Sequence, residues 1–218
     1  MSEITQCEAT VFLNDLSALG YSLGQLPPSG VVDVSKGRDT PRENAQYLVI
    51  GIGTGFNVCA VKNDITAVPI RLQAECGHIT MPISVRQGST VEELFSGRGF
   101  AVFYNAMSDG PDLLGLQISQ QHGDGSNPIA TQALEKYASM LGTLTRELAL
   151  MYMPKGGIYF AGSIARGVFD AGMTAHFLNG LDAPNHFLTS MQDIPIRIIR
   201  DDAAGLLGCA VAAKALMR

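Results

Sequence analysis

The stretch Ala9-Thr10-Val11-Phe12-Leu13-Asn14-Asp15-Leu16-Ser17-Ala18-Leu19-Gly20-Tyr21-Ser22-Leu23 changes character in its middle. The run 9–13 is rich in β-formers, and the run 16–23 reads as a helix. Asn14 and Asp15 are therefore expected where a strand ends, which in open α/β sheets is where ligands bind. Further along, Glu75-Cys76-Gly77-His78 supplies a second carboxylate and an imidazole. Asn14, Asp15, Glu75 and His78 together form the polar set needed to grip a polyol and take a proton from one of its hydroxyls.

Composition narrows the setting. A chain of 218 residues can bury a genuine core without disulfides or metals. Apolar residues make up 46% and charged ones 16%, with 24 glycines in no repeating period, which fits a globular α/β protein. The net charge of −5, with no Lys/Arg cluster, leaves no footprint for nucleic acid or anionic membrane and favours a small-molecule partner. No stretch approaches the length of a membrane span, and the N-terminal residues have neither a basic nor an apolar leader region, so a cytoplasmic protein is expected. The four cysteines form no CxxC pair, which argues against a disulfide framework or a structural zinc site, and no metal site is expected. Cys59 and Cys209 stand in apolar runs and read as core residues.

The region from Gln25 to Arg42 is rich in Pro, Gly and charge and reads as a surface loop. Three strand-like runs follow at 47–53, 56–61 and 65–70, a β-meander whose first turn is Gly53-Thr54-Gly55. Such a turn can offer backbone N–H groups and a hydroxyl to a phosphate, but taken alone the segment reads first as a plain hairpin turn. Ser89-Thr90-Val91-Glu92 matches a capping box with Ser89 as cap and Glu92 at its third helical position, and Gly97 would close that helix. Asn127-Pro128 opens the longest helix, with Leu134, Tyr137, Leu141, Leu144, Leu148 and Met151 on its core face. A buried strand is expected over 156–162 and another over 194–199, followed by a small-residue helix at about 203–217 that can pack close to a neighbour. Strands that first form a meander and then alternate with helices imply a mixed sheet with flanking helices.

Several residues carry two readings. Asp15 can cap a helix or act as a base. Glu75 and His78 can form a local ion pair or bind a sugar, a metal site needing a third ligand that the sequence does not suggest, and Glu92 is explained by capping alone. His122, His176 and His186 read as solvated, and Gly205-Leu206-Leu207-Gly208 as helix packing.

In order along the chain, Leu13-Asn14-Asp15, the 51–55 segment Gly-Ile-Gly-Thr-Gly, Glu75-Cys76-Gly77-His78, the 92–99 segment Glu-Glu-Leu-Phe-Ser-Gly-Arg-Gly, the 156–164 segment Gly-Gly-Ile-Tyr-Phe-Ala-Gly-Ser-Ile and the 202–208 segment Asp-Ala-Ala-Gly-Leu-Leu-Gly resemble the bacterial glucokinase family. These are ATP-dependent hexokinases of the actin-like, ribonuclease H-like ATPase fold. The resemblance implies Asp15 as the base for the sugar 6-hydroxyl, with Asn14, Glu75, His78 and Glu92 holding the other hydroxyls. It implies Gly53, Thr54 and Gly55 as a phosphate motif and Gly162 with Ser163 as the adenosine-side motif. ATP, with Mg2+ carried on the nucleotide, a hexose and a homodimer are the implied ligands and assembly.

The family's opening Asp-x-Gly-Gly-Thr-Asn hairpin has no match here, and the chain reads as a single glucokinase-like large domain over 1–218, with 1–28 as a hinge-side segment. Asn57 stands where the family often has Gly, Cys76 where it usually has Gly, and Ser163 where a second Gly is common. A non-catalytic sugar-binding remnant or a truncated chain is the alternative reading.

Overall fold

The computed structural model describes residues 10–37, 46–63, 70–86, 89–182 and 191–216. Six strands form one sheet in the order β1-β6-β5-β2-β3-β4, where β1 is Val31–Ser35, β2 Gln46–Ile52, β3 Phe56–Lys62, β4 Ile70–Gln73, β5 Gly157–Ala161 and β6 Ile196–Ile199. β2, β5 and β6 run parallel at the centre, while β3 and β4 add an antiparallel meander on one side and β1 an antiparallel edge on the other. The mixed sheet and flanking helices agree with the sequence reading.

The helices are α1 (Asp15–Ser22), α2 (Val91–Leu94), α3 (Gly97–Asn105), α4 (Gly115–Gly123), α5 (Pro128–Tyr152), α6 (Ser163–Asp170), α7 (Thr174–Leu181) and α8 (Ala204–Leu216). Because strand side chains alternate, β2 sends Leu48, Ile50 and Ile52 to one face and Tyr47 and Val49 to the other. The first face packs under α2 to α7, with Leu134, Tyr137, Leu141, Leu144 and Leu148 of α5 at its centre. The second face receives Leu16 of α1 and Ala204 of α8. Burial of the sheet on both faces is the expected state of parallel strands.

The close approach of α8 to α1 rests on Gly208, where a Cβ would run into the carbonyl of Ala18. That is the helix packing expected of the 205–208 segment.

Several local expectations are corrected. Residues 10–13 form no strand; Val11 and Phe12 are exposed, and Asn14 instead caps α1, its Oδ1 accepting from Leu16 N at 3.0 Å and Ser17 N at 3.4 Å. The supposed loop contains β1, whose Val31 pairs with Ile199 of β6, a long-range partner that local composition hides. The third meander strand begins at Ile70, and residues 64–69 lie outside the described set.

Thr90, not Ser89, caps α2: Thr90 Oγ1 accepts from Glu93 N at 3.3 Å, and the Glu93 carboxylate accepts from Thr90 N at 2.8 Å. Gly97 begins α3 rather than ending a helix, because Ser96 caps α3 by accepting from Gly99 N. Met151 and Cys209 are exposed, off the core they were expected to join, whereas Cys59 is buried. His122 is clamped rather than solvated: Nδ1 meets Thr131 Oγ1 at 2.9 Å and Nε2 meets the Ala171 carbonyl at 3.1 Å. His176 lies 3.6 Å from Glu135, and His186 lies outside the described residues.

Candidate active site

Two neighbouring strands of the parallel core, β2 and β5, end side by side at Ile52-Gly53 and Ala161-Gly162. Gly162 has φ +96°, and a Cβ there would overlap the Ile52 carbonyl, so only glycine lets the β5–α6 turn lie against β2. The β2–β3 hairpin turn is closed by Gly53 N donating to Gly55 O at 3.0 Å. Its Gly53 carbonyl also accepts from Gly97 N at 2.9 Å, which docks the start of α3 on the turn.

A cavity of about 360 Å³ opens beside this turn. Its walls include Asp15, Gly53, Thr54, Gly55, Asn57, Glu75, Glu92 and Gly162. Asp15 is exposed at the first turn of α1 and accepts from Leu16 N at 2.8 Å through Oδ1. Glu92 is half-buried, and its Oε2 accepts from Phe56 N at 3.2 Å, so that α2 turns one carboxylate inward while Glu93, next to it, serves the cap. Glu75 reaches the cavity from the segment after β4, where its Oε2 accepts from Asn57 Nδ2 at 3.2 Å. Three carboxylates thus share one small cavity with Thr54, an arrangement suited to accepting hydrogen bonds from several vicinal hydroxyls.

Asn14 and His78 are not among the residues that line this cavity. Asn14 is occupied as the cap of α1, and His78 is exposed on the 3-10 turn Cys76–His78. That turn is anchored from beneath by Cys76, whose Sγ lies 3.6 Å from the Tyr152 hydroxyl. Burial, with the thiol beside it, pushes Tyr152 up to about 12.

A second, more apolar cavity of about 750 Å³ lies on the other side of Gly97, between α3, α4 and α6. Its walls include Arg98, Phe100, Leu113, Leu116, Ser163 and Ile164. Gly162 and Ser163 therefore divide between the two cavities, and Gly53 and Gly97, hydrogen-bonded to one another, do the same. Sequence reasoning missed Arg98 and the apolar wall. The only signal was the alternation of Gly97-Arg98-Gly99 with the apolar residues of α3 and Leu113-Leu114, which by itself reads as ordinary amphipathic packing.

Among the described residues no group of three or more His, Cys, Asp or Glu side chains is placed to hold a metal ion, and no helix is long and apolar enough to cross a membrane. The six-stranded mixed sheet with helices on both faces, which carries these two cavities at the ends of its parallel strands, is the actin-like ATPase class of fold. Solved structures share it: a glucokinase from an Antarctic psychrotroph superposes with a TM-score of 0.80 at 24% identity, over 92% of this chain and 67% of that one. A ROK family glucokinase from Streptomyces griseus, solved with glucose and AMPPNP, gives a TM-score of 0.65 at 18% identity over 100% of this chain and 71% of that one.

The family model described as Glucokinase matches residues 1–216, and the chain belongs to the glucokinase family. The glucokinase of Nitrobacter hamburgensis is 29% identical over 92% of this chain and 67% of its own length.

Proposed function

We propose that this chain is a sugar kinase that transfers the γ-phosphoryl group of ATP to the 6-hydroxyl of glucose, with Asp15 as the base. The observation that carries the reading is the position of Asp15: it lines the same small cavity as Glu75, Glu92 and the Gly53–Gly55 turn, and that turn is hydrogen-bonded to the wall of the larger cavity.

In the proposed reaction glucose occupies the small cavity. Glu75 and Glu92 accept from ring hydroxyls, and Asn14 and His78 approach from its rim. The Asp15 carboxylate takes the proton of the 6-hydroxyl as that oxygen bonds to the γ-phosphorus and the bond to the bridging oxygen of ADP breaks. Phosphoryl transfer asks a protein mainly for positioning and charge stabilisation, so a fixed carboxylate and backbone donors suffice as its contribution.

The nucleotide is assigned to the larger cavity, with the base among Phe100, Leu113 and Ile164, the ribose side near Gly162 and Ser163, and the phosphates toward Gly53, Thr54 and Gly55. Mg2+ carried on the nucleotide would supply neutralisation of the phosphate charge. The presence of a built apolar cavity beside the polar one favours a kinase over a sugar-binding remnant, which has no use for it. A cytoplasmic homodimer completes the reading.

The test is glucose-dependent release of ADP from Mg-ATP by the purified chain. Turnover is the expected result; glucose binding without turnover would favour the non-catalytic alternative.

A further inference from the structure

Asn57 stands on β3 at a position where the family it resembles often has glycine, yet its side chain is held at both ends of its amide. Its Oδ1 accepts from two backbone donors, Val58 N at 2.8 Å and Cys76 N at 3.1 Å. Two N–H donors on one atom identify that atom as the oxygen, so the orientation of the amide follows from its partners. The nitrogen is thereby aimed at the segment after β4, where Nδ2 donates to Glu75 Oε2 at 3.2 Å.

One side chain thus ties β3 to both the backbone and the carboxylate of the Glu75-Cys76 step. Glu75 is exposed and would otherwise sample several rotamers. With Oε2 held by the amide, Oε1 is left to accept from a ligand, and the amide keeps a second N–H. Asn57 and Glu75 both line the cavity.

Resting on the sugar-kinase reading, we infer that Asn57 is a positioning and specificity-determining residue for the sugar: it fixes Glu75 as an acceptor and, with it, presents a donor–acceptor pair to adjacent hydroxyls of a hexose. A carboxylate with a neutral amide beside it accepts one hydroxyl proton while the amide donates to a neighbouring oxygen, a match for a vicinal diol. A glycine at this position would leave the carboxylate to find its own rotamer and would remove the donor.

The experiment compares the wild-type chain with Asn57→Ala and Asn57→Asp, measuring KM for glucose, KM for ATP and kcat, together with a series of monodeoxyglucoses. Asn57→Ala is expected to raise KM for glucose about 10- to 100-fold, the loss of a hydrogen bond to a charged group. KM for ATP should be unchanged. The penalty for removing one particular hydroxyl, large in the wild type, should largely vanish in the variant, a coupling that a merely structural role would not produce.

Asn57→Asp keeps an acceptor for the two backbone donors but sets a carboxylate against Glu75, with Glu92 and Asp15 across the cavity and His78 on the adjoining turn. Its glucose affinity should therefore be recovered in part as pH falls and the pair takes up a proton. Unchanged KM for glucose in a folded Asn57→Ala chain, or the same deoxyglucose penalties in variant and wild type, overturns the inference while leaving the kinase reading intact. A wild-type chain that neither binds nor phosphorylates any hexose overturns both.

Discussion

The backbone N–H of Phe56 donates to the Glu92 carboxylate at 3.2 Å, which ties the β2–β3 hairpin to α2 in the wall of the small cavity. One residue further along, Glu93 closes the capping box with Thr90. Neighbouring glutamates therefore have separate duties, and their loss should be separable. Glu92→Ala is expected to weaken glucose binding by about tenfold or more, because a charged acceptor is removed from the cavity. Thr90→Ala should cost about 1 kcal/mol of stability through the lost cap while leaving glucose affinity unchanged. Isothermal titration with glucose beside urea unfolding separates the two; equal affinity losses in both variants would contradict the assignment.

His122 joins three elements. It sits on α4, contacts Thr131 of α5 and holds the carbonyl of Ala171 just past α6. Since α4 and α6 both supply walls of the larger cavity, His122→Leu is expected to raise KM for ATP more than KM for glucose. Two lost hydrogen bonds should also lower stability by about 1–3 kcal/mol. Steady-state kinetics with each substrate varied in turn checks this, and a larger effect on glucose would count against it.

The Arg200 guanidinium holds Asp170 at the end of α6, with Nη1 donating to Oδ2 at 2.9 Å, and this hydrogen bond keeps the Asp170 carboxyl below its usual value of 3.8. A depressed folded-state value means that the pair contributes stability above the ordinary carboxylate range and loses it as pH falls through the folded value. Asp170 is largely exposed, so the contribution is expected to stay below about 1 kcal/mol. Asp170→Asn should therefore melt slightly lower than wild type at neutral pH, with the difference closing below roughly pH 3. Melting temperatures across that range provide the measurement, and a difference that grows on acidification would reverse the argument.

What the sequence disclosed follows from the range of the interactions involved. β2 and β5 are continuous apolar runs, and Asn127-Pro128 starts α5 by a rule confined to a few residues, so each was readable locally. β1 was not, because five residues inside a Pro- and Gly-rich stretch become a strand only through pairing with β6, far along the chain. The capping box at 89–93 fits two phases, Ser89 with Glu92 or Thr90 with Glu93, and the choice depends on which glutamate the Phe56 amide claims.

Asp15, Glu75, Glu92 and the Gly53–Gly55 turn were legible as site candidates through residue type and order. Asn57 was not, since a polar residue on a strand ordinarily faces solvent, and only the approach of the Glu75-Cys76 step gives it partners. The apolar cavity was equally hidden, because its walls come from three helices whose apolar residues read as core.

The central claim is that Asp15 takes the proton of the transferred-to hydroxyl, and the direct measurement is the rate of glucose-dependent ADP release from Mg-ATP by the wild-type chain and by Asp15→Asn, with glucose affinity measured on both. The account predicts turnover in the wild type, its loss by several orders of magnitude in Asp15→Asn, and nearly equal glucose affinity in the two. Turnover undiminished in Asp15→Asn would contradict it.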